Sequence, residues 1–348
     1  MRVSDYISKR LFQLGIKDIF MVTGGAAMHL NDSFGIDFKG NIHYLHHEQS
    51  CAMAAESYGR VSNKPAVVNV TAGPGSINAI NGVFGAFVDS IPMIIISGQA
   101  KTSTLKSNSG LRNLRQLGDQ EVDIIKMVGG ITKYSRIIED PLLIQEELDK
   151  AYSIATGGRF GPVWLDIPID IQGAKIPSMF IKNVSSPLNS DRYSKINKIK
   201  NFRDHDINLL AKKLLNSNRP ILYIGSGIRS SNCYLEMLDF LKEWPIATVT
   251  GWNSHDLLWD SHENYVGRPG TIGNRGGNFA VQFSDCLLIT GCRLNIRQIS
   301  YNWNSFGKNA WKCQVDIDKD ELNKPTLSTD LKINSDLKGF FNLLSNEM

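Results

Sequence analysis

Ala66-Val67-Val68-Asn69-Val70-Thr71-Ala72-Gly73-Pro74-Gly75 opens on a short apolar run rich in valine and closes on a turn of two glycines and a proline. A run of this kind reads as a strand in the interior of a parallel sheet. The turn lets the backbone approach a flat ligand closely, because glycine has no Cβ. Similar runs lie on either side. Residues 19–22 lead into Gly24-Gly25, residues 42–45 form another short run, and residues 93–97 and 163–167 complete the set. Between them lie helical stretches at 48–62 and 142–156. A further one near the start puts Ile7, Leu11 and Leu14 on one face, with Ser4 as its candidate cap. Strands separated by helices predict a parallel sheet covered on both faces. Residues 1–171 are therefore expected to form one doubly wound α/β domain.

The pattern breaks at 172–203, where Pro177, Pro187 and many Ser, Asn and Lys residues suggest a linker. It resumes over 204–348. Apolar runs at 221–224, 246–249, 287–290 and 314–317 read as strands, and 230–243 and 336–344 as helices. The first of these strands runs into Gly225-Ser226-Gly227. The expected fold class is α/β, with two doubly wound parallel-sheet domains, the second Rossmann-like.

Composition narrows the function. The chain has 348 residues, with 38 basic and 34 acidic side chains and a net charge of +4. Lys195, Lys198 and Lys200 cluster inside the expected linker and read as a solvated connector, not as a nucleic-acid patch. The five cysteines include no C-x-x-C pair, so neither a disulfide framework nor a zinc site is expected, and a reducing cytoplasm fits. No run approaches the roughly 20 apolar residues of a membrane span, and the N-terminus lacks an export pattern.

Three segments carry candidate chemistry. His46-His47-Glu48-Gln49 follows a strand and opens a helix, where a carboxylate is electrostatically favoured. Thr71 to Asn78 is a strand-to-helix turn. Met93 to Gln99 is a strand ending in small polar residues, preceded by Asp89-Ser90-Ile91-Pro92. In an open α/β sheet all three would meet beyond the carboxyl ends of the strands, where ligands bind.

Taken in order, these motifs resemble the pyrimidine-binding domain of thiamine-diphosphate enzymes of the acetolactate synthase type. His47-Glu48-Gln49, Tyr58-Gly59-Arg60, Gly73-Pro74-Gly75 through Asn78 and Asp89-Ser90-Ile91-Pro92 match. So do Gly24-Gly25-Ala26, Gln120-Glu121-Val122-Asp123 and the 161–172 segment. The resemblance implies that the Glu48 carboxyl hydrogen-bonds the aminopyrimidine ring of thiamine diphosphate and favours its imino tautomer, which accepts the proton from the thiazolium carbon. It implies catalytic roles for Gln120 and Gly25 as well, and cofactor contacts from Gly73, Pro74, Gly75 and Asn78. Lys133 matches a lysine near the entrance of the site. Asp119 and His46 depart from the family's usual Phe and Arg, which leaves the substrate open.

Residues 219–318 resemble the family's central domain, which binds FAD in some members. The implied nucleotide contacts are Gly227, Arg229, Gly270, Arg293 and Asp316, with FAD as the candidate cofactor. The family's diphosphate-binding domain, with its Gly-Asp-Gly motif and Mg²⁺, has no counterpart among these residues. The expectation is that this chain holds only the pyrimidine half of thiamine diphosphate, that no metal ligands come from it, and that a separate chain supplies Mg²⁺ and the diphosphate site. A homodimer or tetramer acting on a small 2-oxo acid is implied. Branched-chain amino acid synthesis and polysaccharide synthesis are both candidate settings. The alternative is an inactive, truncated or assembly subunit that retains FAD or ADP.

Overall fold

The computed structural model describes residues 1–177, 179 and 202–348. The chain divides into two compact units, Met1–Asn197 and Lys198–Met348. Of the expected linker, residues 172–177, 179, 202 and 203 are described and the rest lies outside the described residues.

The first unit is built on a six-stranded sheet. Its strands are β1 (Asp18–Met21), β2 (Asn41–Tyr44), β3 (Ala66–Val70), β4 (Met93–Gln99), β5 (Tyr134–Ile137) and β6 (Pro162–Pro168). They run in the order β2-β1-β3-β4-β6-β5, and every pairing is parallel. The apolar runs form strands because both faces are covered. Alternate residues go to opposite sides: Val67, Ile94, Ile96, Val163 and Leu165 enter one core cluster. Ala66, Val68, Val70, Met93, Ile95 and Trp164 enter the other. The order reverses between β1 and β3, so a crevice opens at their carboxyl ends.

The first helix, Val3–Gln13, is capped differently from the expectation. Ser4 lies inside it and is fully buried. The cap is Arg2, whose backbone N–H and guanidinium both donate to Asp5, while the Ser4 hydroxyl accepts a bond from Ser33 instead. The helix is tied to the helix Ile144–Thr156 by Arg10, which donates to both oxygens of Asp149 at 2.7 and 3.0 Å.

The second unit carries β7 (Pro220–Ile224), β8 (Ala247–Thr250), β9 (Tyr265–Gly267), β10 (Cys286–Thr290), β11 (Trp311–Asp316) and β12 (Leu331–Asn334). The order is β12-β11-β10-β7-β8-β9, again all parallel. Its switch point falls between β10 and β7. The two faces are again packed separately, with Leu222, Ile224 and Leu288 on one side and Tyr223, Leu287 and Ile289 on the other. Two doubly wound α/β units are thus present.

Candidate active site

Glu48 is the first residue of the helix Glu48–Ser62, which starts just beyond β2. His47 caps that helix through Nδ1, which accepts the Gln49 N–H at 3.1 Å. The Glu48 side chain leaves the first turn half-buried. Further along the same helix Ala52 is buried, whereas Met53 faces outward.

The partner segment follows β3. Gly73 has a φ of +58°, a conformation that L side chains rarely adopt. A Cβ there would come within 2.2 Å of the Gln120 carbonyl oxygen. Pro74 then begins the helix Pro74–Asp89 at its first position, where a missing N–H costs nothing. Ser76 donates back to the Thr71 carbonyl at 2.7 Å. Asn78 Nδ2 donates to Glu48 Oε2 at 3.0 Å. A Cβ on Gly75 would meet the Thr71 methyl at 2.8 Å and Glu48 Oε1 at 3.2 Å. Glu48, Gly73, Pro74, Gly75 and Asn78 therefore converge, and the Gln120 backbone rests on their turn.

The third wall comes from the end of β1. Thr71 Oγ1 accepts the Ala26 N–H at 3.2 Å. Gln172 Nε2 donates to the Ala26 carbonyl, and Asn31 to the Gly24 carbonyl. Asn69 in turn donates to Asn31. Gly24 is the sterically obligate glycine, since its Cβ would fall 2.5 Å from Thr71 Cβ. Gly25 faces open space, with nothing within 4 Å of a built Cβ. Sequence reasoning singled out Gly25 and assigned Gly24 and Thr71 no role, although all three lie in the motifs it quoted.

A buried polar network backs this site. Ser97 Oγ donates to Asp166 Oδ1 at 2.5 Å and accepts from Trp164 Nε1 at 2.8 Å. Gln99 Nε2 donates to Asp166 Oδ2 at 2.8 Å and to the Val122 carbonyl at 2.9 Å. Through Val122 the network holds the segment that places Gln120 on Gly73. Burial pushes the Asp166 carboxyl up to about 7, with Asp123 adding to the rise and the Ser97 and Gln99 bonds opposing it. Glu121 closes the same segment by accepting the Lys106, Leu117 and Gly118 N–H groups. Lys133 lies elsewhere. Its ammonium donates to the Ile154 and Gly157 carbonyls at the end of the helix Ile144–Thr156, a helix-capping role.

In the second unit Gly227 and Arg229 follow β7, Gly270 follows β9, Arg293 follows β10, and Asp316 ends β11. All five lie along the carboxyl edge of the sheet, but their immediate contacts are with the protein itself. Arg229 pairs with Asp256 at 2.6 Å, and Arg293 stands 4.0 Å from Glu321. Asp316 Oδ1 accepts the Asp318 N–H. A Cβ on Gly227 would lie 2.5 Å from the α-carbon of Gly291. A cleft of about 160 Å³ nearby is lined by Gly270, Asn278, Gln298 and Phe306, with no charged side chain on its wall. Among the described residues no group of three His, Cys, Asp or Glu side chains is placed to hold a metal. All five cysteines are buried and unpaired, and no described helix is long and apolar enough to cross a membrane.

An acidic first-turn residue thus meets a Gly-Pro-Gly turn at the switch point of a doubly wound α/β sheet, the place where such sheets bind ligands. Comparison with known proteins sharpens this. Residues 1–127 match the N-terminal TPP binding domain of thiamine pyrophosphate enzymes, and residues 207–344 match the central domain of the same enzymes. The chain is 32% identical over 337 residues to the acetolactate synthase large subunit of Lactococcus lactis, covering 96% of this chain and 55% of that protein. It is 28% identical to the large subunit of acetolactate synthase isozyme 2 of Escherichia coli, covering 93% and 55%. The chloroplastic acetolactate synthase of Arabidopsis thaliana is also 28% identical, covering 99% and 49%. The chain belongs to the thiamine pyrophosphate enzyme family and carries its N-terminal and central domains. It spans about half the length of the curated relatives it matches.

Proposed function

We propose that this chain is a component of a thiamine-diphosphate-dependent 2-oxo acid decarboxylase and carboligase of the acetolactate synthase type. The observation that carries this reading is the meeting of Glu48, Asn78 and Gly75 at the β1/β3 switch point. The residues suit the pyrimidine half of the cofactor. A carboxyl group is present to hydrogen-bond a ring nitrogen, and the open space at Gly25 and the bare α-carbon of Gly75 would let a flat ring approach. When bound, thiamine diphosphate supplies the nucleophilic carbon and the electron sink for decarboxylation. Glu48 would hold a proton against the ring nitrogen, Gly73 and Gly75 would let the turn approach the ring, and the 118–123 segment would close over it.

In this reading the diphosphate end and its Mg²⁺ are held outside these two domains. The substrate is a small 2-oxo acid such as pyruvate, joined after decarboxylation to an acceptor carbonyl. The assembly contains at least two copies of this chain. The strand order offers a ligand crevice between β7 and β10 where FAD would bind, although Arg229 and Asp316 engage protein groups there. The unpaired cysteines support a cytoplasmic location.

The test is an assay of the completed enzyme with pyruvate. Glu48→Gln is expected to cut carboligation by about 10²- to 10⁴-fold, the range for losing a positioned acid or base. Full activity in that variant would end the reading.

A further inference from the structure

The two oxygens of the Glu48 carboxyl group have different surroundings. Oε2 accepts the Nδ2–H of Asn78 at 3.0 Å. A carboxylate only accepts, so the nitrogen of the Asn78 amide faces it. Oε1 lies over the bare α-carbon of Gly75, where an added Cβ would come to 3.2 Å. The Asn78 N–H therefore engages Oε2 and not Oε1. Asn78 stands one turn into the helix that begins at the Gly-Pro-Gly turn, whereas Glu48 starts a different helix. The hydrogen bond therefore ties the acid to the turn that would receive the ring.

We propose that Asn78 is a positioning residue that engages Oε2 of Glu48 and so presents Oε1, beside the bare α-carbon of Gly75, to the ring nitrogen of an aminopyrimidine. This rests on the cofactor reading above and assigns Asn78 an action through Glu48, distinct from a direct cofactor contact. No covalent step is involved, only a hydrogen bond between Oε1 and the ring nitrogen.

The test uses the complete enzyme that contains this chain, with the variants Asn78→Ala, Asn78→Asp and Glu48→Gln. Asn78 is exposed, so all three should fold, which a thermal melt verifies. The first readout is the infrared carboxyl or carboxylate band of Glu48 in cofactor-free protein, identified by its loss in Glu48→Gln. The band should shift in Asn78→Ala. The second is calorimetric affinity for thiamine diphosphate with Mg²⁺. Asn78→Ala should bind about tenfold more weakly, the scale of one hydrogen bond to a charged group. Asn78→Asp should bind more weakly still, although it is nearly isosteric, because it replaces the donor with a like charge. A space-filling role predicts the opposite order, with Asp closer to the native protein than Ala. Native-like affinity in both Asn78 variants, with binding weakened by Glu48→Gln, would overturn the proposal and leave the cofactor reading standing. Unchanged affinity in Glu48→Gln would remove the cofactor reading itself. The infrared band then decides the positioning alone, and an unshifted band in Asn78→Ala would refute it.

Discussion

The two sheets of this protein each open a crevice at a topological switch point, and glycines pack tightly at both. At the β1/β3 crevice, where Gly24 and Gly73 are held by Thr71 and Gln120, Gly25 faces empty space and the α-carbon of Gly75 lies beside Glu48 Oε1. At the β7/β10 crevice Gly225, Gly227 and Gly291 press against one another's backbones, with built Cβ contacts of 2.2 to 2.7 Å. The charged residues differ in the same sense. Glu48 is met by an amide from a neighbouring helix, while Arg229 is closed into an ion pair with Asp256. A glycine-rich strand end is thus not in itself a binding site. What distinguishes the first crevice is a polar group with bare backbone beside it.

The comparison breaks most visibly through pH. Asp166 is buried behind the first crevice without a cation, and its carboxyl rises to about 7 through burial. Its folded value lies above its ordinary unfolded one, so the folded state holds a proton that the unfolded state releases between these values. The cost to stability is absent below about pH 4, grows between about pH 4 and 7, and is constant above that. It amounts to about 4 kcal/mol at most. Melting followed on the first unit should fall relative to Asp166→Asn across this window. A difference between the two proteins that does not change with pH would mean that the carboxyl is charged throughout.

The glycines sharpen the contrast at a smaller scale. Gly227→Ala forces a methyl group onto Gly291 and should destabilise the second unit by about 1–3 kcal/mol, as overpacking does. Gly75→Ala should lower thiamine diphosphate affinity about tenfold, because the methyl crowds Glu48 Oε1, with a loss of about 1 kcal/mol of stability from the contact with Thr71. Calorimetry and melts on both variants would check the pair. A Gly227→Ala protein of native stability, or a Gly75→Ala protein of native affinity, would erase the distinction between packing and binding glycines.

How much of this could be read in the sequence follows from the range of the interactions involved. The interior strands β3, β4 and β10 are visible as apolar runs because both of their faces are buried. The edge strands β5, β9 and β12 are not. They have three or four residues, and β12 alternates buried and exposed positions. The Gly-Pro-Gly turn and the glutamate are local motifs and stand out. The bond between Glu48 and Asn78 spans 30 residues, and the environment of Asp166 is assembled from β4 and β6. No short-range pattern reveals either. Ser4 illustrates the same limit on a small scale, since only the fold shows that Asp5 and Arg2 close the helix start.

The most direct measurement is a crystal structure of the complete enzyme that contains this chain, bound to thiamine diphosphate. The account places the Glu48 carboxyl within hydrogen-bond distance of an aminopyrimidine ring nitrogen, about 2.7–3.2 Å, with the ring lying against the Gly73-Pro74-Gly75 turn. A ring bound elsewhere, or a Glu48 side chain turned to solvent while the cofactor is held, would contradict it.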